Sequence, residues 1–87
     1  MELQEIESVL REALSLSFVN VQGDGSHFQV IAVGDCFDGA TRIKRQKMIY
    51  GPLQEHISSG EMHALTIKTF TEEQWQKDKK LLFPNLV

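Results

Sequence analysis

The chain has 87 residues, 41% of them hydrophobic, which supports one small core and argues against a second domain or a large enclosed cavity. Nine basic and 12 acidic residues give a net charge of -3, which opposes nonspecific attraction to nucleic acid or anionic membranes. Cys36 is the only cysteine, which excludes an intramolecular disulfide and a cysteine-rich metal cage built from this chain alone.

The N-terminal segment and the cysteine content predict where the protein works. Residues 1–11 mix Glu2, Glu5 and Glu7 with aliphatic residues, and they lack the basic start and unbroken apolar run of a signal peptide. No apolar stretch elsewhere approaches the length of a transmembrane helix. Together with the single cysteine, these features predict a soluble protein of the reducing cytoplasm.

The first part of the chain predicts a helix followed by a β-hairpin. Helical spacing of apolar residues indicates an amphipathic helix over roughly residues 2–15, and these apolar residues are Leu3, Ile6, Val9, Leu10, Ala13 and Leu14. A short strand that contains Phe18, Val19 and Val21 comes next. Turn-forming residues 23–26 then separate it from a second strand over residues 27–33.

A long helix that contains a proline is predicted in the middle of the chain. Residues 34–39 interrupt the strand pattern, and Thr41 is placed to cap a helix that runs from residue 42 toward residue 58. The residues expected on its apolar side are Ile43, Tyr50, Leu53 and Ile57. Pro52 follows Gly51, and we expect a kink or a break there because proline lacks a backbone donor and crowds the preceding turn.

The last part of the chain predicts a third strand and a third helix. Residues 63–69 alternate in polarity as a strand does, and Thr71 and Gln74 have the spacing of a capping box that opens a helix through about Lys80. The order αββαβα indicates an α+β fold in which helices pack on a three-stranded sheet. We expect one domain over residues 1–82 and a C-terminal tail over residues 83–87.

Several spaced motifs resemble one protein family. They are residues 25–30 (Gly-Ser-His-Phe-Gln-Val), residues 37–39 (Phe-Asp-Gly), the run 42–50, residues 63–67 (His-Ala-Leu-Thr-Ile), and Thr71 with Trp75. Together they resemble the BolA family over nearly the whole chain, and residues 23–28 and 50–53 are most similar to its bacterial IbaG-like branch. The resemblance implies a fold similar to the class II KH domain.

The resemblance also implies a function and a partner. BolA-like proteins of this kind act as non-enzymatic adaptors that bind a monothiol glutaredoxin and share a bridging [2Fe-2S] cluster with it and with glutathione. Iron–sulfur trafficking or regulation, with a link to acid stress, is the implied role. The family histidine before the third strand falls on His63, and the nearest candidate for a second ligand is His27. Imidazole ligands suit such a cluster, since they replace thiolates on one iron in Rieske centres.

Strand topology favours His27 over Cys36 as the second ligand, independently of the family. If strands two and three are parallel neighbours joined by a helix, both start at the same end of the sheet. His27 and His63 each begin one of these strands. Cys36 lies nine positions beyond His27, up to roughly 30 Å away in an extended chain. The alternative topology, in which strand three pairs with strand one, would remove this argument.

Structural roles are the alternatives for the histidines and the cysteine. His63 could be packed and hydrogen-bonded at a strand end, and His27 could hydrogen-bond its own turn. We interpret His56, which matches no motif, as part of a solvated helix face. Cys36 is interpreted as a partly buried structural residue, because nothing in the neighbouring sequence predicts a lowered thiol pKa.

A basic cluster supports a second functional hypothesis, a DNA-binding transcriptional regulator that uses the second helix. The cluster consists of Arg42, Lys44, Arg45 and Lys47. At helical spacing these residues do not all share one face, and the G-x-x-G loop with which KH domains grip nucleic acid does not occur. A cluster-free interaction module and a homodimer remain further alternatives, whereas no catalytic motif supports an enzyme.

Overall fold

The computed structural model describes residues 3–24, 27–60, 62 and 64–82. Helix α1 spans Leu3–Leu14, strand β1 spans Phe18–Asp24, and strand β2 spans His27–Val33. The two strands form an antiparallel hairpin in which Phe18 lies opposite Val33 and Asp24 lies opposite His27. These elements confirm the predicted helix and hairpin. His63 and the predicted tail, residues 83–87, lie outside the described residues.

The second half of the chain contains two helices and one strand. Helix α2 spans Arg42–Ser58, strand β3 spans Ala64–Phe70, and helix α3 spans Glu72–Leu82. A short 3₁₀ turn, Asp35–Phe37, lies between β2 and α2. The predicted order αββαβα is confirmed, and the last helix runs two residues beyond the predicted end at Lys80.

The central strand of the sheet is β2. The strand order is β1-β2-β3, and β3 pairs parallel to β2, with Ala64 opposite His27 and Phe70 opposite Val33. Helix α2 is the crossover connection that a parallel pair requires. Pairing of β3 with β1 is therefore excluded, and β2 and β3 both start at the same end of the sheet.

One face of the sheet packs against α1 and α2. Side chains alternate along each strand, so that Val30 and Ala32 of β2 point to this face and are fully buried. From α1, Ile6 and Leu10 reach them at a spacing of four residues, one helical turn. The main core cluster comprises Ile6, Leu10, Leu16, Val19, Val21, Val30, Ala32, Phe37, Ile49, Leu53 and Met62.

The opposite face of the sheet is covered by α3 through Trp75. Its indole stacks on Phe18 with ring centroids 4.9 Å apart, and it meets Phe70 at 5.4 Å in a tilted arrangement. Ile31 and Val33 complete this second cluster, because their odd positions in β2 point away from the main core. The sheet is thus a middle layer with helices on both faces.

Both predicted caps form. The hydroxyl of Thr41 accepts a hydrogen bond from the Lys44 N–H at 3.1 Å at the start of α2. At α3, the Gln74 N–H donates to the Thr71 hydroxyl at 3.2 Å, and the Thr71 N–H donates to the Gln74 side-chain oxygen at 2.9 Å. This reciprocal pair is a capping box, and it starts α3 directly after β3.

The apolar side predicted for α2 was partly wrong. Ile49 and Leu53 are fully buried, and Ile57 packs against the core. By contrast, Ile43 is 67% exposed and Tyr50 is 36% exposed. The buried stripe follows the four-residue spacing of Ile49, Leu53 and Ile57, and Tyr50 is turned by about 100° from its neighbour Ile49.

Pro52 does not break α2, which runs without interruption from Arg42 to Ser58. A break is therefore wrong, whereas a kink stays a prediction. Proline removes only the hydrogen bond that its own N–H would have made to the carbonyl four residues earlier. The next residue, Leu53, is fully buried and holds the helix against the sheet on the far side of the proline.

No helix among the described residues has the length and apolar character needed to cross a lipid bilayer. The longest of them, α2, has 17 residues, whereas a membrane span needs about 20 predominantly apolar ones.

Because Trp75 is the main contact between α3 and the sheet, Trp75→Ala is expected to lower the free energy of unfolding by about 3 kcal/mol or more. The control Ile43→Ala removes an apolar side chain that is 67% exposed and should change it by less than about 0.5 kcal/mol. Urea denaturation followed by far-ultraviolet circular dichroism measures both. Equal effects of the two substitutions would contradict the packing described for α3.

Candidate functional site

His27 lies at an accessible corner of the sheet. It is the first residue of β2, its side chain is exposed, and it pairs with Asp24 on one side and with Ala64 on the other. The hairpin sets the first of these neighbours and the parallel crossover sets the second. His27 therefore presents its imidazole at the end of the sheet where β2 and β3 both begin.

A shallow hollow of about 280 Å³ lies beside His27. It is lined by Gln22, Gly23, His27, Phe28 and Gln29. Gly23 is opposite Phe28 in the hairpin, and a Cβ at Gly23 would come within 2.9 Å of the Phe28 ring. The sequence signals assigned Gly23 to the turn, whereas it lies in β1 and is needed for this close approach of the aromatic ring.

His63, the other predicted ligand, lies outside the described residues. In the chain it directly precedes Ala64, the first residue of β3. The described part of the site is therefore the corner formed by His27 and Ala64, and the assignment of His63 as a ligand stays a prediction.

Cys36 lies toward the other end of β2. It belongs to the 3₁₀ turn that follows the strand, and the seven residues of β2 span about 20 Å. Cys36 is exposed, so its interpretation as a partly buried residue was wrong. Desolvation by nearby protein atoms raises the pKa of the Cys36 thiol. A backbone hydrogen bond opposes this in part, and the charges of Asp35, which raises the pKa, and of Arg45, which lowers it, have smaller effects. A raised pKa leaves less of the thiolate form, which is the form that acts as nucleophile and metal ligand.

His56 is half-buried near the end of α2, so its interpretation as part of a solvated helix face was wrong. Its carbonyl accepts hydrogen bonds from the Ser59 hydroxyl at 3.1 Å and from the Met62 N–H at 3.4 Å. Met62 is itself buried in the main core. The backbone of His56 thus helps to fix the turn that leads from α2 to β3.

The four basic residues of α2 differ in their surroundings. Arg42, Lys44 and Lys47 are exposed, whereas Arg45 is half-buried. The Arg45 Nε donates to the Ala40 carbonyl at 3.1 Å and its Nη1 donates to the Gln74 side-chain oxygen at 3.2 Å. Because Gln74 belongs to the capping box of α3, Arg45 ties the start of α2 to the start of α3. Sequence reasoning missed this role, which joins residues 29 positions apart.

A second, larger groove lies between the N-terminal half of α2 and β3. Its volume is about 400 Å³. It is lined from α2 and the preceding loop by Ala40, Arg42, Arg45 and Gln46, and from β3 by residues 67–70. No sequence pattern predicted it, because it arises where the crossover helix runs beside the strand that it leads into.

The described part of the chain contains no group of three His, Cys, Asp or Glu side chains that could hold a metal ion. His27 is the described imidazole at the corner where β2 and β3 begin, and a single imidazole supplies one ligand. By itself, this imidazole can form hydrogen bonds or supply one ligand to a metal ion.

Comparison with known proteins identifies the family. A family model described as BolA-like protein matches residues 6–74. The Escherichia coli K12 protein named acid stress protein IbaG is 57% identical over 81 residues, which cover 93% of this chain and 96% of the relative. The E. coli K12 protein named DNA-binding transcriptional regulator BolA is 35% identical and is aligned over 84% of this chain and 78% of its own length.

A solved structure agrees with the sequence comparisons. The structure of a BolA protein homologue from Coxiella burnetii superposes with a TM-score of 0.74 at 31% identity, covering 87% of this chain and 97% of that one. The element order, the mixed three-stranded sheet and the sequence matches agree, and the chain belongs to the family of BolA-like proteins.

Proposed function

We propose that this protein is a non-enzymatic adaptor that binds a monothiol glutaredoxin and shares a bridging [2Fe-2S] cluster with it. The observation that carries the proposal is the register of β2 and β3, in which exposed His27 lies opposite Ala64. His63 directly precedes Ala64 in the chain, so the two proposed ligands are the first residue of β2 and the residue that comes before β3 in the sequence.

The ligand count explains why a partner is needed. A [2Fe-2S] cluster takes four ligands besides its sulfides, commonly thiolates, and in Rieske centres two of these are replaced by histidines. Two histidines from this chain would satisfy one iron. Cys36 is near the opposite end of β2, so the thiolates would come from a glutaredoxin cysteine and from glutathione. The exposed position of His27 allows such a partner to approach.

Histidine ligation gives the shared cluster a sensitivity to acid. Iron binds the lone pair of a neutral imidazole nitrogen, and a proton competes for the same lone pair. Loss of the cluster as the pH falls is the expected direction. The name of the E. coli relative, acid stress protein IbaG, supports a connection between this chemistry and acid conditions.

A second candidate function is DNA binding through α2. It is favoured by the exposure of Arg42, Lys44 and Lys47 and by the name of the 35% identical relative, DNA-binding transcriptional regulator BolA. Against it stand the net charge of -3 and the two hydrogen bonds that hold Arg45 within the fold. We therefore place it second.

The isolated chain is expected to bind no stable [2Fe-2S] cluster, because one cysteine and three histidines in all cannot furnish four ligands at one corner. Anaerobic reconstitution with and without a glutathione-loaded monothiol glutaredoxin, followed by absorption and circular dichroism spectra, measures this. The cluster should appear only in the mixture. A stable, stoichiometric cluster in the purified monomer would refute the proposal.

In the glutaredoxin complex, His27→Ala and His63→Ala are each expected to remove histidine-type ligation from the paramagnetic resonance spectrum of the reduced cluster. Cys36→Ser is the matched control and should leave the spectrum unchanged, since Cys36 lies beyond the far end of β2, a strand about 20 Å long. His27→Ala should change the free energy of unfolding by less than about 0.5 kcal/mol, because the side chain is exposed.

Two results of this experiment would contradict the ligand assignment. Loss of the histidine signal in Cys36→Ser but not in His27→Ala would mean that the second ligand is the cysteine. If His63→Ala unfolds while its remaining folded fraction forms the normal complex, His63 has a structural role and is not a ligand.

DNA affinity is expected to be weak and steeply salt-dependent, because exposed α2 cations would contact phosphates and not base edges. Arg42→Glu should weaken binding to all sequences alike and reduce the slope of log affinity against log salt by about one. Lys77→Glu, an exposed cation of α3, is the control for net charge. Tight, sequence-selective binding at physiological salt would instead support a DNA-binding regulator as the main function.

A further inference from the structure

The two edge strands of the sheet, β1 and β3, differ in whether a side chain occupies their outer side. At the β1 edge, the Val21 N–H donates to the Glu7 carboxylate of α1 at 3.0 Å, so a side chain occupies part of this edge. At the β3 edge, the described residues supply no further strand. An open edge presents unpaired backbone groups to any chain that can align with it.

The hydrogen bond from the Gly34 N–H to the Phe70 carbonyl, 3.0 Å, shows which backbone groups of β3 point outward. Since the N–H and C=O of one strand residue point to the same side and successive residues alternate, Phe70 faces β2 with both groups. Leu65, Ile67 and Thr69 therefore direct their N–H and C=O groups to the open edge. Within the described ranges, no hydrogen bond outside the strand ladder uses these groups.

The groove beside this edge is cationic. Its described lining contains Arg42, Arg45 and Lys68 and no acidic residue. Lys68 pairs with Ile31, so its side chain projects on the face of β3 opposite to α2, and positive charge flanks the edge on both faces. Arg42 and Lys68 are exposed, whereas Arg45 is held by Ala40 and Gln74 and contributes its fixed charge. In a chain with a net charge of -3, this local excess of positive charge favours an anionic occupant.

The rim of the groove also has an apolar part. Gln46 lines the groove, and Ile43 and Tyr50 lie three residues before and four residues after it, on the same ridge of α2. Ile43 is 67% exposed and Tyr50 is 36% exposed, and they are the two large hydrophobic residues exposed in the described chain. An occupant that fits this surface carries both acidic and apolar side chains.

We propose that the open edge of β3 and the adjoining groove bind an extended acidic peptide segment of another protein, which adds to the sheet as a fourth strand. Alternate backbone groups at Leu65, Ile67 and Thr69 match the hydrogen-bonding period of a peptide. A nucleic acid backbone has no such series of donors and acceptors, which is why the observations favour a peptide. The groove lies toward the end of β3 away from the proposed cluster corner, and this proposal does not depend on the proposed function.

The same charges disfavour pairing of two copies of this chain through their β3 edges. An antiparallel dimer centred on residues 67–69 would bring Lys68 of one copy close to Lys68 of the other, and like charges placed together are destabilising. A lysine on an edge strand is also a common protection against edge-to-edge aggregation. Pairing of two copies through this edge is thus disfavoured, whereas binding of an acidic partner is favoured.

The test is titration of the isotope-labelled full chain with a synthetic peptide of seven residues, the length of β3, in which glutamate alternates with valine. Nuclear magnetic resonance should show amide shift changes concentrated at residues 65–69 and slower hydrogen exchange at Ile67 and Thr69. The same peptide methylated on every amide nitrogen keeps its side chains but loses its donors, and it should not bind. Equal binding of the methylated peptide would overturn strand addition.

Charge variants test the groove independently. Lys68→Glu and Arg42→Glu are each expected to weaken peptide binding by about ten-fold, whereas Lys77→Glu, the same charge change on exposed α3, should leave it within about two-fold. An equal loss in Lys77→Glu would mean that only net charge matters and would contradict the groove. A single-stranded oligonucleotide that shifts the same amides at lower concentration than the peptide would reassign the groove to nucleic acid.

Discussion

The parallel pairing of β2 with β3 is the constraint on which the rest of the structure depends. It requires a crossover, which α2 provides, and it sets the register in which His27 meets Ala64 at one end and Val33 meets Phe70 at the other. The same pairing places β3 at an edge of the sheet and brings α2 alongside it, which creates the groove between them. The candidate ligand corner and the candidate peptide edge are both consequences of one strand pair.

Covering both faces of so small a sheet leaves few places for function. One face is filled by the side chains of α1 and α2, and the other is closed by Trp75 between Phe18 and Phe70. Among the described residues, the surfaces left for binding include the ends of the strands, the open edge of β3 and the outer sides of the helices. The proposed adaptor role suits this architecture better than an enclosed catalytic site does.

The two proposed surfaces lie toward opposite ends of β3. The ligand corner is at Ala64, whereas the groove is lined by residues 67–70 near the end of the strand. A protein bound at the corner and acidic side chains bound in the groove would therefore contact different ends of β3. Arg45 contributes to the stability of the second surface, because its hydrogen bonds to Ala40 and Gln74 fix the start of α2 next to α3.

The amino-acid sequence by itself determined the elements whose signals are local. These signals lie within a few residues of one another: the apolar period of α1, the β-forming run from His27 to Val33 and the capping box at Thr71. The resemblance of the sequence motifs to a family also identified His27 and His63 as the expected ligands. Tertiary structure decided that β3 pairs with β2 and not with β1, since strand order depends on contacts between distant segments. It also decided the exposure of Ile43, the structural role of Arg45 and the groove beside β3, because each follows from how α2 is rotated and docked on the sheet.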